Sequence, residues 1–197
     1  APANSTSSYS SIFVELYRNN SLLQTYTESL SFTNDFASFN FNINITAELA
    51  KYDVKVYAET TEGSSLIREV DDIVCGDVFV VQGQSNAAAV MYNGSSAAYQ
   101  SDYIRVYAGG AITSSGLLNN DQWYYGQGDG NENSSGNTGQ WGIVIGKMLI
   151  DQLNIPIAIF NGAHGGQPIE FFQRPNDYTS STNSNYGRLY YRLNKTG

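Results

Sequence analysis

Ser85 is the residue of this sequence whose setting best fits nucleophilic chemistry. It closely follows residues 78–81, Val-Phe-Val-Val, an unbroken apolar run typical of a strand buried on both faces of a parallel sheet. Ligands of such sheets bind at the carboxyl ends of the strands. Gly83 before the serine and the alanines at 87–89 after it permit a tight turn and leave space for a substrate. Ser85 is therefore a candidate nucleophile.

A second strand is expected to end beside Ser85. Residues 155–160 are apolar and follow residues 139–153, a predicted amphipathic helix. A strand, a helix and a strand in succession predict a right-handed crossover between parallel strands. The second strand would then bring residues 161–166 to the edge of the sheet where Ser85 lies. The predicted core face of the helix consists of Trp141, Val144, Ile145, Met148 and Leu149.

Two further patterns concern this helix. Asn137 and Gln140, three residues apart, are a predicted N-cap pair. Gly142 and Gly146 lie one turn apart, so the helix could approach the sheet closely. The pattern therefore predicts a helix that belongs to the core of an α/β layer structure.

The two strand ends also carry a family resemblance. Residues 76–86, Gly-Asp-Val-Phe-Val-Val-Gln-Gly-Gln-Ser-Asn, resemble the first block of the SGNH hydrolase superfamily, in its sialate O-acetylesterase branch. Residues 155–170, which end in Gly-Gly-Gln-Pro-Ile-Glu, resemble the second block. The resemblance covers roughly residues 72–197. It implies a three-layer α/β domain of flavodoxin-like type.

Acyl transfer by a serine requires a hydroxyl, a base and donors for the oxyanion. The expected oxyanion donors are the backbone N–H groups of Ser85 and of Gly165 or Gly166, because a side chain on either glycine would block the incoming carbonyl. The resemblance further implies a donor from an Asn or Gln of a later block and a His in an Asp-x-x-His pattern near the end of the domain. Neither later block occurs in this sequence.

Four more residues near these motifs are candidate substrate-binding residues: Gln84, Asn86, His164 and Glu170. His164 is the only histidine of the chain, and the resembling family usually has an aromatic residue there. We expect it to line the pocket or pack under its loop rather than to act as the base. Glu170 is expected to fix the same loop by hydrogen bonding.

The missing blocks leave two interpretations. The sequence is either the amino-terminal part of a longer enzyme or a degenerate relative that hydrolyses nothing. A sheet with so few strands and helices would leave an edge and helix faces uncovered, which favours the first interpretation. Activity would then need the remaining part of the same polypeptide or a second chain.

Residues 109–139 form a long segment rich in Gly, Asn and Ser, interrupted by Trp123 and two tyrosines. Long loops inside compact domains are usually functional or disordered. The aromatic residues could form a platform for a sugar face, with Trp123 as a substrate-binding residue. They could equally pack against their own domain.

Residues 1–72 have a different pattern. Alternation of apolar and polar residues predicts five short strands, of which residues 39–45 are the cleanest, and a hairpin turn at Asn19 and Asn20. Residues 46–50 are a predicted helical turn. Five strands with one wet face favour an immunoglobulin-like β-sandwich. The expected organisation is thus a β-sandwich at 1–72 followed by the incomplete SGNH domain at 73–197. The expected role of the β-sandwich is scaffolding, and the alternative is sugar binding through exposed Tyr or Phe.

The composition excludes several classes of function. A net charge of −8 argues against nucleic acid or an anionic membrane as a partner. No apolar run approaches the roughly 18 residues of a membrane span. No His, Cys and carboxylate cluster has metal-ligand spacing, so no metal or cofactor is expected. The neutral polar, aromatic-rich surface is typical of secreted or cell-surface carbohydrate-active proteins, and the single Cys75 is expected to be a small core residue.

These observations predict a secreted or surface serine esterase that removes O-acetyl groups from a carbohydrate, of the sialic acid or polysaccharide type. The alternative is a non-catalytic glycan-binding or adhesion module that reuses the same scaffold.

Overall fold

The computed structural model describes residues 9–90, 96–108, 113–130 and 134–196. The chain divides into two compact units, residues 1–75 and 76–197. Each unit is built on one four-stranded sheet. Within the described ranges, no helix is long and apolar enough to cross a membrane.

Four of the five strands predicted for the first unit form: β1 (Ser11–Arg18), β2 (Ser21–Ser29), β3 (Tyr52–Thr60) and β4 (Gly63–Ile73). They make an antiparallel sheet with the strand order β2-β1-β3-β4. Alternate side chains of β1 are buried, which explains the period-two pattern of the sequence.

The turn between β1 and β2 consists of Asn19 and Asn20, as predicted. Both residues have positive φ angles, 49° and 64°. Turns of this kind match the right-handed twist of the flanking strands, and asparagine tolerates the left-handed conformation better than most residues. The hairpin prediction is confirmed.

The fifth predicted strand, residues 39–45, is wrong, and residues 46–50 contain no helix. The alternation of apolar and polar residues in this segment nevertheless corresponds to an alternation of more buried and exposed side chains. Ile43 and Ile45 pack against a buried cluster that includes Leu16 and Tyr52, whereas the alternating Asn42 and Asn44 are exposed. The pattern specifies an extended chain with one apolar side, but it does not specify a hydrogen-bonding neighbour. The described part of this unit contains one sheet, so the β-sandwich stays a prediction.

The second unit contains β5 (Asp77–Val81), α1 (Ser85–Ala88), β6 (Ile104–Tyr107), α2 (Ser114–Asn119), β7 (Trp123–Tyr125), α3 (Gly139–Leu153), β8 (Ile157–Asn161) and α4 (Asn185–Thr196). Its strand order is β5-β8-β6-β7, with β8 parallel to both of its neighbours and β7 antiparallel to β6. The core includes side chains of β6 and β8 that are fully buried.

Strand β5 is at the edge of this sheet, which corrects the expectation that it is buried on both faces. Val78 and Val80 are 50% and 44% exposed. An apolar run indicates that a strand can be buried. The position of that strand in the sheet depends on which other strands pair with it. Cys75, just before β5, is partly buried and free, and it lies outside any strand.

Helix α3 has the predicted bounds but buries the opposite face from the one predicted. Trp141 and Met148 are 60% and 64% exposed, whereas the buried face includes Gly142 and Gly146. A Cβ atom on Gly142 would lie 2.8 Å from a methyl carbon of Ile159 in β8. The close approach expected from the two glycines is therefore confirmed, and it determines the orientation of the helix.

The predicted N-cap pair of α3 does not form. The Asn137 side chain accepts a hydrogen bond from the backbone N–H of Gly139 at 2.8 Å. The Gln140 side chain instead donates to Asp129, also in this unit, at 2.9 Å. Thr138 occupies the N-cap position, and its side chain makes no capping hydrogen bond.

Residues 109–139 are less irregular than expected. The described part of the segment contains α2 and β7, and residues 109–112 and 131–133 lie outside the described residues. Helix α4 is the last element of the described residues, and Leu189 is among its buried residues.

Candidate active site

The carboxyl ends of β5 and β8 are neighbours at one edge of the sheet. Val81 pairs with Asn161 in parallel register. Beyond the strands, the N–H of Gly162 donates to the carbonyl of Val81 at 2.8 Å, and the N–H of His164 donates to the carbonyl of Gly83 at 3.0 Å. The two motif-bearing loops are thus joined by backbone hydrogen bonds, as the expected convergence requires.

Ser85 is the first residue of α1 and is exposed. Its hydroxyl lies 3.4 Å from the side-chain oxygen of Gln84, which is a weak hydrogen bond. The backbone N–H of Ser85 donates to no group of the described residues, as is usual in the first turn of a helix. Gly83 has a φ of 146°, a conformation that other residues rarely adopt, so the turn into Ser85 depends on glycine.

The loop after β8 carries Gly165 and Gly166. Gly166 has a φ of 73°, and a Cβ atom there would meet no atom within 4 Å. Glycine is thus favoured at 166 by the backbone conformation, and the space beside it is open. An approaching carbonyl group would find room at this position.

His164 and Glu170, two of the candidate substrate-binding residues, differ in the contacts of their side chains. The His164 ring packs edge-to-face on Phe171, with 5.0 Å between ring centroids, in agreement with a packing role. Glu170 is exposed, and its carboxylate makes no hydrogen bond or ion pair with the described residues. The expectation that Glu170 fixes the loop by hydrogen bonding is therefore wrong; Glu170 belongs to a short 3₁₀ turn, Ile169–Phe172, that its backbone stabilises.

The described residues supply no base for Ser85. No imidazole or carboxylate among them accepts a hydrogen bond from its hydroxyl. Asp129 lies in the same unit, where the Gln140 side chain and Ser96 lower its pKa by hydrogen bonding. A carboxylate whose acceptor sites are used in this way is a poor proton acceptor.

The remaining candidate residues are not all near Ser85. Gln84 and Asn86 flank it and are exposed. Trp123 begins β7, three strand spacings or roughly 14 Å from β5. It packs on Tyr107 and Phe160, at centroid distances of 5.3 and 6.0 Å. The aromatic segment therefore packs against its own unit, which favours the second of the two expectations for it.

Buried amide side chains behind the site were missed by the sequence analysis. Asn185 donates to the carbonyl of Gly162 at 2.7 Å and accepts from the Gln82 side chain at 2.6 Å. Asn161 donates to the carbonyl of Thr138 at 3.0 Å and accepts from the N–H of Ala163. These hydrogen bonds hold the loops after β5 and β8 in place. An amide directly after an apolar strand, as at Gln82 and Asn161, is the sequence signal that could have indicated them.

Comparison with known proteins gives little further assignment. No family model matches the chain, and no curated protein matches it. Among solved structures, the chain is similar to a carbohydrate acetylesterase from Xanthomonas citri, with a TM-score of 0.48 and 17% sequence identity. The similarity covers 95% of this chain and 43% of that one. The chain thus spans less than half of the length of that enzyme, and a likeness at this level assigns neither fold nor activity.

Proposed function

We propose that this chain carries the nucleophile and part of the oxyanion hole of a carbohydrate O-acetylesterase, on the amino-terminal part of an SGNH-type domain. The observation that carries the proposal is the hydrogen bond between the backbone of His164 and that of Gly83. It ties the loop of Gly165 and Gly166 to the turn before Ser85. The exposed hydroxyl of Ser85 and the open space beside Gly166 thus belong to two loops that backbone hydrogen bonds join.

In the proposed reaction, the Ser85 oxygen bonds to the acetyl carbonyl carbon while a base takes the hydroxyl proton. The backbone N–H groups of Ser85 and of Gly165 or Gly166 stabilise the negative carbonyl oxygen. The sugar oxygen leaves with the proton that the base returns. Water then hydrolyses the acetyl-enzyme and releases acetate. Because the described residues hold no base, the base would come from the remaining part of the polypeptide or from a second chain.

The test is acetate release from an O-acetylated sugar by the complete protein and by its Ser85→Ala variant. Loss of a catalytic serine lowers turnover by roughly 10³-fold or more in serine hydrolases, and we expect a loss of that size. Ser180→Ala is the matched control, because Ser180 is an exposed serine of the same unit that donates only to a backbone carbonyl. Unchanged acetate release by Ser85→Ala would rule out the proposal.

The absence of a base from the described residues also favours a second candidate, a secreted or surface glycan-binding module without catalysis. This candidate predicts that the complete protein binds a glycan, releases no acetate, and leaves Ser85 unlabelled by an organophosphonate. Labelling of Ser85 together with acetate release would exclude it.

A further inference from the structure

Helix α4 buries two arginine side chains. Arg188 and Arg192 lie one turn apart and are 4% and 2% exposed. Arginine is almost never fully buried unless it is paired, because removing a guanidinium from water is costly. Two of them on one helix face therefore need a physical account.

The hydrogen bonds of both side chains go to neutral backbone carbonyls. Arg188 donates to the carbonyls of Thr182 and Asn183 at 3.2 and 3.0 Å, and Arg192 donates to the carbonyl of Asn161 at 3.1 Å. The Nε atom of each arginine is buried and has no hydrogen-bond partner among the described residues. Each side chain thus has a buried donor left over.

No anion balances the two charges within the described part of the chain. Neither arginine forms an ion pair there. Burial and, as the smaller cause, the nearby charge of Arg188 together lower the pKa of Arg192 to about 10. Burial alone lowers the pKa of Arg188. Two adjacent buried cations without an acidic neighbour are strongly unfavourable unless a negative group completes the cluster.

We propose that Arg188 and Arg192 form a buried binding site for a carboxylate-type oxyanion, behind the loop that begins at Asn161. The two Nε–H groups supply its donors, and the two positive charges supply its affinity. The carboxylate comes either from a free acid such as acetate or from an acidic side chain of a second copy of this chain. The site is independent of the proposed esterase activity, because it involves neither Ser85 nor the two glycines of its loop.

Thermal unfolding of the chain in sodium acetate and in sodium chloride of equal ionic strength tests the free-acid source. We expect saturable stabilisation by acetate beyond that by chloride, since a ligand that binds only the folded state stabilises it. In Arg192→Met, the apparent affinity for acetate should fall at least tenfold. Arg68→Met, at an exposed position of β4, is the charge-matched control and should behave as the wild type does.

A second variant covers the event that Arg192→Met does not fold. Arg192→Lys keeps the positive charge but removes the guanidinium Nε–H, so the affinity for acetate should fall while folding is retained. Sedimentation of the same proteins tests the second-copy source. Association in chloride that acetate reverses, and that Arg192→Lys abolishes, would assign the carboxylate to a neighbouring copy.

Two results would overturn the proposal. One is equal stabilisation by acetate in the wild type and in both Arg192 variants, which would place the anion elsewhere on the surface. The other is neither acetate-specific stabilisation nor association that depends on Arg192, in which case the two arginines are buried without any anion site.

Discussion

The two sheets of this protein are covered in different ways. In the first unit, residues 39–45 lie as an extended segment whose isoleucines pack on the sheet, and residues 41–45 make no backbone hydrogen bond with the described residues. In the second unit, α3 covers the sheet as a regular helix that approaches through glycines. The first cover is held by side-chain packing and by a hydrogen bond from the backbone N–H of Asn40 to the Glu28 carboxylate. The second is held by close backbone packing, which tolerates little added volume.

The units also differ in where their polar groups are satisfied. Both units pair charges at their surface, for example Arg18 with Glu48 in the first and Lys147 with Asp151 in the second, but only the second shows a buried cluster of polar side chains among the described residues. The second unit buries amide and guanidinium groups behind the strand ends that carry the candidate site. Surface ion pairs contribute little to stability, whereas buried polar groups are costly unless they form hydrogen bonds. The buried groups of the second unit are therefore the ones that indicate a constraint from function.

The largest effect is expected from filling the gap under the helical cover. In Gly142→Ala, the new Cβ atom would lie 2.8 Å from Ile159 and 2.9 Å from Thr138, and overpacking of this kind costs roughly 1–3 kcal/mol. Gly146→Ala is the matched control, because both variants gain about 1 kcal/mol of helix propensity but the nearest contact at Gly146 is 3.2 Å, to Ile104, so that the difference between them reports the tighter packing at Gly142. Urea unfolding measures both variants. Equal stability of the two would contradict the close packing at Gly142.

The fate of α3 shows what the sequence could and could not predict about the fold. Its bounds followed from apolar periodicity, and the strands before and after it followed from apolar runs. The orientation of α3 did not follow from this pattern. Hydropathy ranks Trp141 and Met148 as core residues, whereas the short distance between helix and sheet requires Gly142 and Gly146 on the buried face. Glycine carries no hydrophobic signal, so a glycine face is invisible to a pattern built on apolar side chains.

The same limit applies to the candidate site. The parallel placement of the strand ends and the meeting of the two loops followed from strand order, because parallel strands end at the same edge. The buried arginines did not, since charged residues on a helix are expected to face solvent. The prediction for Glu170 was wrong in the opposite sense. Its carboxylate, beside a motif, was expected to form a hydrogen bond with its loop, but the residue is exposed.

A smaller loss of stability is expected from weakening the packing of the extended segment, residues 39–45. Ile43→Ala removes a part-buried side chain that packs on the cluster of Leu16 and Tyr52, and we expect a loss of about 1.5 kcal/mol, below that of a fully buried isoleucine. Asn42→Ala, at an exposed position of the same segment, should change stability by less than about 0.5 kcal/mol. Urea unfolding compares them. Equal losses in both variants would show that the alternation of this segment has no energetic meaning.

The smallest effect concerns the ion pair that follows the extended cover. Glu48 accepts hydrogen bonds from Arg18 at 2.7 and 2.5 Å and from the Tyr52 hydroxyl at 2.6 Å. The Arg18 bond, followed by the Tyr52 bond, lowers the pKa of Glu48. Because the carboxylate is favoured in the folded state, this contribution is present above the unfolded pKa of about 4.3 and is lost as the pH falls through the lower folded pKa.

Glu48→Gln should therefore be slightly less stable than the wild type at neutral pH, and the difference should shrink below about pH 4. Unfolding by urea at several pH values measures this difference. Glu62→Gln is the control, because Glu62 is exposed in the turn between β3 and β4 and forms no ion pair with the described residues. A Glu48→Gln profile that runs parallel to the wild type across the whole acidic range would mean that the pair contributes nothing.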